Sequence, residues 1–376
     1  MSQVELLGQP LTLHRYPRDS DPSLQAWEAA DEYLLNEIAP LLTTLTPGRL
    51  LILNDSFGAL SCALHRYRPT AVSDSFLAQE ACRRNLASND LDADSVCQFD
   101  TLAELPAAPQ LVLIKVPKTL ALLEYQLHRL REVVTPATRI IAAAKARDIH
   151  TSTLKLFSQL LGETRTSLAW KKARLIYSQW QAPACAANPY PTCWPLEQTQ
   201  YQIVNHANVF SRGSLDIGAR FFLQHLPHNL SGRLADLGCG NGVLGLMALQ
   251  HNPQAELLFV DESHMAIASS RANVEQNRPQ DLARCEFRLG NSLDGVEADS
   301  LRLVLCNPPF HQQQTITDQL AWQMFNDARR CLQPGGELLM IGNRHLGYHI
   351  KLQRLFSAVE TVASNQKFVI LRATKR

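Results

Sequence analysis

The chain has 376 residues, 45% of them hydrophobic and 19% charged, so it can bury a core and is long enough for about two domains. This composition excludes a mainly disordered chain, a collagen-like repeat and a small disulfide-stapled module. The 36 Lys and Arg residues nearly balance the 35 Asp and Glu residues, so no strong overall charge indicates a nucleic-acid or membrane partner.

Targeting and redox signals are weak throughout the chain. No run of about 20 apolar residues is present, and residues 1–13 lack the charged and apolar regions of a secretory signal. The nine cysteines are scattered without a C-x-x-C pair, which favours free thiols over disulfides or a zinc site. We therefore expect a cytoplasmic protein that binds neither a membrane nor a metal.

A proline-rich stretch at 181–198 divides the chain almost in half. It contains four prolines and has neither a helical nor a strand period, which is typical of a linker. We therefore predict a first domain at 1–180 and a second domain at 199–376.

The two halves repeat the same landmarks in the same order. An apolar strand runs from Arg49 into LNDSFGAL in the first half, and from Arg233 into DLGCGNGVLG in the second. The other matches are Val72–Asp74 with Phe259–Asp261, Arg83, Asn85 and Asn89 with Arg271, Asn273 and Asn277, and LVLIKVPK with LVLCNPPF. Matches in register indicate an internal duplication.

Short β-rich runs alternate with helical patterns in each half, which predicts a mostly parallel sheet covered by helices on both faces. The last two runs, separated by residues 364–366, predict a hairpin and therefore an antiparallel last strand. The predicted strands of the second half lie near 233–237, 256–260, 284–288, 301–306, 336–341, 359–363 and 367–372, and the helices near 215–225, 243–251, 263–277, 317–332 and 349–357. The fold class is α/β, with two tandem Rossmann-like domains whose ligands bind beyond the carboxyl ends of the strands.

The loop after the first strand of the second half is rich in glycine. Residues 240–245 match G-x-G-x-x-G, and Asp261 ends the next strand about 20 residues later. Glycines let the backbone approach a ligand closely, and a carboxylate at that strand end can bind ribose hydroxyls. Alone, this pattern is compatible with a nicotinamide dinucleotide.

Asp236 favours a different cofactor, S-adenosylmethionine. An acid at this loop can face the ammonium group of that cofactor, whereas it would repel a pyrophosphate. Asn291, which closes the third strand, either hydrogen-bonds an adenine ring or caps a turn. The candidate cofactor-binding residues here are Asp236, Gly238, Gly240, Asn241, Gly242, Asp261 and Asn291.

The tetrapeptide at 307–310 follows an apolar run. Neither proline has an N–H, so the pair cannot continue a sheet and forms a rigid extended segment at the ligand edge. The Asn307 side-chain oxygen and the Pro308 carbonyl can accept the two hydrogens of a conjugated amine, while Phe310 stacks on its ring. This set favours the transition state of methyl transfer to that nitrogen, so Asn307, Pro308 and Phe310 are the candidate catalytic residues.

These motifs resemble those of known methyltransferases. DLGCGNG followed by NPPF is similar to the class I S-adenosylmethionine-dependent methyltransferases. The duplicated halves, the segment 205–221 and NPPFH resemble the bacterial ribosomal RNA guanine-N2 methyltransferases. NPPFHQQQ and NRHL, with LIKVPKTLALLE and AKARDIHTSTL in the first half, resemble the members that act on the large subunit. The resemblance covers nearly the whole chain and implies N2-methylation of one guanine in 23S ribosomal RNA.

The same resemblance places Phe210 and Asp216 in a segment that closes over the cofactor. The alternative for this segment is an amphipathic helix capped by Ser214, with Leu215 and Phe222 in the core. Asp216 is compatible with both interpretations.

The first half has lost the corresponding chemical groups. The loop residue Gly238 matches Asn54, and Asn307 matches Lys115, whose ammonium group cannot accept a hydrogen bond from an amine. We therefore expect that the first half neither binds the methyl donor nor transfers a methyl group.

The charges of the first half suggest another role for it. Residues 1–124 carry 9 basic and 16 acidic residues, whereas residues 125–180 carry 10 basic and 3 acidic ones. Basic side chains near an aromatic residue such as Trp170 can bind phosphates and stack a base, although a solvated helix face is an equal alternative. The candidate RNA-binding residues are Lys171, Lys172, Arg174, Arg129 and Arg131.

We expect a monomeric methyltransferase acting on ribosomal RNA, with only the second domain catalytic. The open alternatives are the same reaction on 16S ribosomal RNA, N-methylation of adenine in nucleic acid, and N-methylation of a glutamine in a protein. A nicotinamide-dependent oxidoreductase rests only on the glycine pattern, and an RNA-binding factor with a vestigial fold suits only the first half.

Overall fold

The computed structural model describes residues 2–18, 21, 23–309 and 314–376, which divide into two compact units between Tyr190 and Pro191. This division falls within the predicted linker at 181–198. The second part of that stretch forms a strand, Thr192–Pro195, which pairs with Gln202–Asn205 in an antiparallel hairpin. Pro195 is tolerated there because the missing N–H of a proline does little harm in a two-stranded hairpin.

The first unit is a seven-stranded, mostly parallel sheet with an additional N-terminal hairpin. Its strands are β1 (Gln3–Leu6), β2 (Gln9–Thr12), β3 (Leu50–Leu53), β4 (Thr70–Ser73), β5 (Cys97–Asp100), β6 (Leu111–Lys115), β7 (Arg139–Lys145), β8 (Thr164–Thr166) and β9 (Ala173–Ser178). Its α-helices are α1 (Ala29–Ile38), α2 (Ala59–Ala63), α3 (Phe76–Ser88), α4 (Leu120–Leu130) and α5 (Thr151–Leu160). The strand order is β5-β4-β3-β6-β7-β9-β8, and β9 is antiparallel to both of its neighbours.

The second unit has the same architecture. Its strands are β10 (Thr192–Pro195), β11 (Gln202–Asn205), β12 (Ser231–Leu237), β13 (Gln254–Asp261), β14 (Cys285–Leu289), β15 (Leu301–Cys306), β16 (Leu332–Asn343), β17 (Ala358–Ser364) and β18 (Phe368–Thr374). Its α-helices are α6 (Ile217–Leu223), α7 (Val243–His251), α8 (His264–Asn277), α9 (Gln314–Cys331) and α10 (Tyr348–Gln353). The strand order is β14-β13-β12-β15-β16-β18-β17, with β18 antiparallel to β16 and β17.

The two strand orders are identical position by position, which confirms the predicted pair of α/β domains. The observed strands and helices of the second half begin and end within a few residues of their predicted bounds. The two hairpins β1–β2 and β10–β11 were not predicted. Each hairpin is short and is held by side chains from a helix that is distant in sequence. Its own residues therefore give little indication that a hairpin forms.

Both faces of the second sheet are buried, because its central strands are almost entirely apolar. In β15, Leu303 and Leu305 join the core beneath α6 and α7, whereas Val304 and Cys306 join the core beneath α9 and α10. Within the described ranges, no helix is both long and apolar enough to cross a bilayer.

One buried asparagine of α8 joins three segments of the second unit. The Asn273 amide nitrogen donates to the Val204 carbonyl (2.9 Å) and the Asn241 carbonyl (2.8 Å), and its oxygen accepts the Val204 N–H (2.7 Å). One turn later, Asn277 makes the same pair of hydrogen bonds with the Gln202 backbone, at the surface. These contacts fix the hairpin and the glycine loop against α8.

The first unit repeats this arrangement with Asn85 of α3. Its amide nitrogen donates to the His14 carbonyl (2.9 Å) and the Phe57 carbonyl (2.8 Å), while its oxygen accepts the His14 N–H (2.9 Å). Asn89 then pairs with the backbone of Thr12. The asparagine matches noticed in the sequence are therefore structural and do not depend on a ligand.

We predict that Asn273→Ala destabilises the second unit by about 2–4 kcal/mol, because it leaves buried backbone groups without partners. Asn277→Ala is the matched control and should cost less than about 1 kcal/mol, since water can replace its exposed hydrogen bonds. Urea unfolding of the two variants checks the difference. Equal costs would show that burial of the asparagine does not determine its contribution.

Candidate active site

The glycine loop connects β12 to α7 at the carboxyl edge of the sheet. Gly238, Gly240 and Gly242 all have positive φ angles, of 71°, 56° and 77°. A Cβ atom on Gly240 would meet nothing within 4 Å, whereas one on Gly242 would lie 2.8 Å from the Ser270 side chain. Gly240 therefore faces open space suited to a ligand, and Gly242 is required for packing against α8.

Asp236 lies under this loop and is 1% exposed. Its Oδ2 accepts the Gly245 N–H at 2.9 Å, which ties the first turn of α7 to β12. Burial raises the pKa of this carboxyl to about 7, and the nearby Asp261 adds to the shift, against the lowering effect of the Gly245 N–H. The predicted contact of Asp236 with a cofactor ammonium stays a prediction.

Asp261 ends β13 beside the loop, as the sequence predicts. Its Oδ2 accepts the Gly240 N–H (2.9 Å) and its Oδ1 accepts the Ser263 N–H (3.0 Å). Burial raises the pKa of Asp261, while these backbone N–H groups act in the opposite direction. The carboxylate is thus fixed at the strand end where a ribose would be bound.

Asn241 has a structural role within the loop. Its oxygen accepts the Val243 N–H (3.1 Å), and its amide nitrogen donates to the Asn205 oxygen (2.9 Å). Asn205 is fully buried, and the sequence analysis did not single it out. The signal available in the sequence was its polar side chain at the start of the segment 205–221.

Asn291 follows β14 and is 7% exposed. Its amide nitrogen donates to Asp294 (3.1 Å), and its oxygen accepts a hydrogen bond from Gln323 of α9 (3.0 Å). These contacts agree with the alternative of a turn-capping residue. The adenine contact stays a prediction.

The N-cap residue of α6 differs from the one that the sequence predicted. Asp216, not Ser214, is the N-cap, since its Oδ2 accepts the Ala219 N–H at 2.9 Å. Both are good capping residues, so the sequence could not choose between them. Phe210 is 56% exposed, and its place over the cofactor stays a prediction.

Asn307 follows β15 and has a buried side-chain oxygen with no hydrogen-bond partner among the described residues. A buried acceptor without a partner is costly, so this atom calls for a ligand donor. Pro308 is buried directly after it, and its backbone offers a carbonyl but no N–H. Phe310, the third predicted catalytic residue, lies outside the described residues.

Asn343 was missed by the sequence analysis. It ends β16, the strand next to β15, and its side-chain oxygen is likewise buried without a partner in the described part of the chain. The signal available in the sequence was a polar residue directly after an apolar strand run, at the edge of the sheet where ligands bind.

In the first unit, an ion pair occupies the position that corresponds to Asn307. The pairing of Leu53 with Ile114 in β3 and β6 matches that of Leu237 with Cys306, so Lys115 takes the place of Asn307. The Lys115 ammonium lies 2.5 Å from the Asp31 carboxylate, and both side chains are buried. Burial opposes the charge on Lys115, but Asp31 and Glu28 outweigh it and raise the pKa.

The candidate RNA-binding residues fall into two groups. Lys171, Lys172 and Arg174 lie on the β8–β9 hairpin, where the Lys171 ammonium is 4.5 Å from the centre of the Trp170 ring and 2.7 Å from Glu32.

The other two candidates are engaged within the first unit. Arg129 donates to the Tyr125 hydroxyl and the Ala103 carbonyl. Arg131 donates to backbone carbonyls of Leu160 and Pro183. Both arginines therefore have structural partners in the first unit, as Lys171 does in Glu32.

The residues of the second unit fit S-adenosylmethionine. Gly240 leaves open space at the strand edge, and Asp261 provides a fixed carboxylate of the kind that binds a ribose. Beyond Asp236 and Asp261 the donor set is neutral, which suits a cationic cofactor better than a pyrophosphate. Together, the fold and this site define a class I S-adenosylmethionine-dependent methyltransferase.

Comparisons with known proteins identify the family. Residues 1–182 match the RLMG N-terminal domain and residues 200–372 match the Methyltransferase small domain. Proteins named Ribosomal RNA large subunit methyltransferase G from Klebsiella pneumoniae and Erwinia tasmaniensis are 61% identical over the whole chain and 99% and 100% of their own lengths. One from Yersinia pestis is 57% identical over the whole chain and 95% of its own length. The chain belongs to the ribosomal RNA large subunit methyltransferase G family.

A solved structure supports the fold over the full length. It is that of the T. thermophilus 16S rRNA N2 guanine methyltransferase RsmC in complex with AdoMet and guanosine. The TM-score is 0.73 at 20% identity, covering 100% of this chain and 97% of that one. The tandem arrangement of two methyltransferase-like domains is therefore shared.

We predict that Asp236→Asn gains stability relative to the parent as the pH rises from 5 to 8. The folded-state pKa of about 7 lies above the usual value of 3.8, so ionisation of this buried acid destabilises the fold as the pH rises through that window. The asparagine still accepts the Gly245 N–H but does not ionise. Since the stability is lost between the unfolded and the folded pKa, the part that falls between pH 5 and pH 8 is about 3 kcal/mol.

Thermal unfolding without cofactor tests this prediction, using the transition that S-adenosylhomocysteine shifts in the parent protein. Asp299→Asn, at an exposed carboxylate that pairs with Lys375, is the matched control. If the difference in unfolding temperature between the parent and Asp236→Asn is the same at pH 5 and pH 8, the raised pKa of Asp236 is wrong.

Proposed function

We propose that this protein transfers a methyl group from S-adenosylmethionine to the 2-amino nitrogen of one guanine in the 23S ribosomal RNA of the large subunit. The observation that carries the proposal is the buried side-chain oxygen of Asn307, which lies beside the Pro308 carbonyl and has no hydrogen-bond partner among the described residues. The names of the full-length relatives support the large subunit as the source of the RNA.

The chemistry of the acceptor explains this arrangement. The lone pair of a guanine 2-amino group is delocalised into the ring, so the amine is a poor nucleophile. Acceptance of its two hydrogens by Asn307 and Pro308 favours a pyramidal nitrogen whose lone pair points away from both oxygens. When bound, S-adenosylmethionine supplies an electrophilic methyl group. No general base is needed before transfer, because the proton can leave the cationic product.

The remaining residues divide into cofactor and substrate roles. Gly238, Gly240 and Asp261 would hold the cofactor at the carboxyl edge of β12 and β13, and Phe210 would cover it. If the target guanine is paired in the RNA, it must be flipped out of its helix to reach Asn307. We also propose that Phe310 stacks on the flipped base, and that the protein acts as a cytoplasmic monomer.

Unmodified 23S and 16S ribosomal RNA, as transcripts and as subunits, should be incubated separately with the protein and S-adenosylmethionine and digested for nucleoside mass spectrometry. We expect N2-methylguanosine from 23S RNA alone. The same nucleoside from 16S RNA alone would keep the chemistry and change the substrate. N6-methyladenosine, or methylglutamine in a ribosomal protein, would contradict the proposal.

Two variants at Asn307 test the role that we propose for this residue. Asn307→Ala should lower kcat about 30- to 1,000-fold, from a loss of about 2–4 kcal/mol of transition-state stabilisation, with unchanged affinity for S-adenosylhomocysteine. Asn307→Asp keeps a side-chain acceptor and should retain more of the rate. An unchanged kcat in Asn307→Ala would exclude the proposed role of this residue.

For the first unit, we propose that the β8–β9 hairpin binds RNA phosphates. Replacing Lys171, Lys172 and Arg174 with alanine should weaken RNA binding and reduce the slope of log affinity against log salt by about two to three units. Replacing Arg83 and Arg84, which pair with Glu80 on the surface of α3, is the matched control. Equal slopes for both sets would refute the proposed RNA contact.

A further inference from the structure

Asn343 has a side chain that the fold does not explain. The residue is 9% exposed, and its Oδ1 has no hydrogen-bond partner among the described residues. It precedes the short 3-10 turn Arg344–Leu346, but its side chain does not cap that turn. An unpartnered buried acceptor costs about 1–3 kcal/mol, so this oxygen calls for a hydrogen-bond donor from a ligand.

The pleat of β16 places Asn343 on the α6 side of the sheet. Leu339 and Ile341 belong to the core that includes Ala219 and Phe222 of α6. Alternate residues of a strand share one face, so Asn343 lies on that face too. Phe368, which pairs with Asn343, lies 3.3 Å from the position of a Cβ on Gly218, two residues after the Asp216 cap.

The first unit shows where side chains from these two strand positions meet. Ile114 pairs with Ala142 as Cys306 pairs with Met340, so Lys115 and Lys145 stand at the positions of Asn307 and Asn343. The two ammonium groups lie 3.5 Å and 3.2 Å from the carboxylate of Glu28, the N-cap of α1. In the first unit, the lysine side chains at these two positions therefore reach the same carboxylate, which indicates that the two positions face one region of the sheet edge.

The order of the strands separates Asn343 from the cofactor. The glycine loop and Asp261 follow β12 and β13, whereas β16 lies beyond β15, about 10 Å from β12 at the usual strand spacing. Asn307 stands between the two regions. The group that meets Asn343 is thus on the acceptor side of the site.

An amide oxygen in this place requires an N–H donor. Guanine carries its N1–H beside the 2-amino group on one edge, whereas adenine has an acceptor at N1. We propose that the Asn343 Oδ1 accepts the N1–H of the target guanine while Asn307 holds the 2-amino group, so that Asn343 selects guanine over adenine. This inference rests on the proposed function. The ammonium group of the cofactor is the other source of an N–H donor, and the experiment distinguishes the two.

The test measures binding of four nucleosides to the full-length protein saturated with S-adenosylhomocysteine, by calorimetry. Guanosine and inosine carry an N1–H, whereas 2-aminopurine riboside and adenosine do not. The parent protein should prefer the first two. Asn343→Ala should lose this preference, with about a three- to tenfold weaker affinity for guanosine and inosine and unchanged affinity for the other two.

Two further variants separate this role from a fault in folding. Asn343→Asp keeps an acceptor and should keep the preference for N1–H nucleosides. Asn326→Ala, which removes an exposed amide from α9, should behave as the parent.

Three results would overturn the inference. A parent protein without preference for guanosine and inosine would do so, and so would an Asn343→Ala variant that keeps the preference. Weaker binding of S-adenosylhomocysteine to Asn343→Ala with the preference intact would assign the residue to the cofactor. None of these results bears on whether 23S RNA is methylated, which the transcript experiment decides separately.

Discussion

Both units depend on a buried asparagine that holds three stretches of backbone together. In the second unit Asn273 satisfies the N–H and the carbonyl of Val204 and the carbonyl of Asn241, so one side chain replaces the partners that a longer sheet would supply. The hairpin, the glycine loop and α8 are thereby fixed as one body. Gly238, Gly240 and Asp261, which we propose to hold the cofactor, lie at a strand end or in the loop that this clamp fixes.

The two copies of the fold separate what the glycine loop does for structure from what it does for a ligand. Gly58 and Gly242 have nearly the same φ angle, 81° and 77°, and a Cβ on them would collide with α3 and α8, respectively. That glycine persists in the copy that carries Lys115 at the position of Asn307. Gly238, by contrast, is replaced by Asn54, which keeps the left-handed φ and now hydrogen-bonds Gln126.

The main sheet of each unit could be predicted from the sequence because its strands are nearly continuous apolar runs separated by helical patterns. The N-terminal hairpins could not, since Val204 is held by Asn273, 69 residues away. Asn307 was found because two prolines mark its position. Asn343 carries no such mark, and its significance appears only when its oxygen is seen to be buried without a described partner. The choice between Ser214 and Asp216 as a cap depends on backbone geometry that composition does not encode.

The ion pair between Lys115 and Asp31 makes the lysine at the position of Asn307 difficult to replace. Restoring asparagine at 115 alone would leave the Asp31 carboxylate buried opposite a neutral partner, at a cost of about 3–5 kcal/mol. Replacing Asp31 first would leave Lys115 with the carboxylate of Glu28 alone, at 3.5 Å. Either single replacement therefore passes through a less stable protein. The ion pair thereby acts as a barrier against the return of an asparagine to this position.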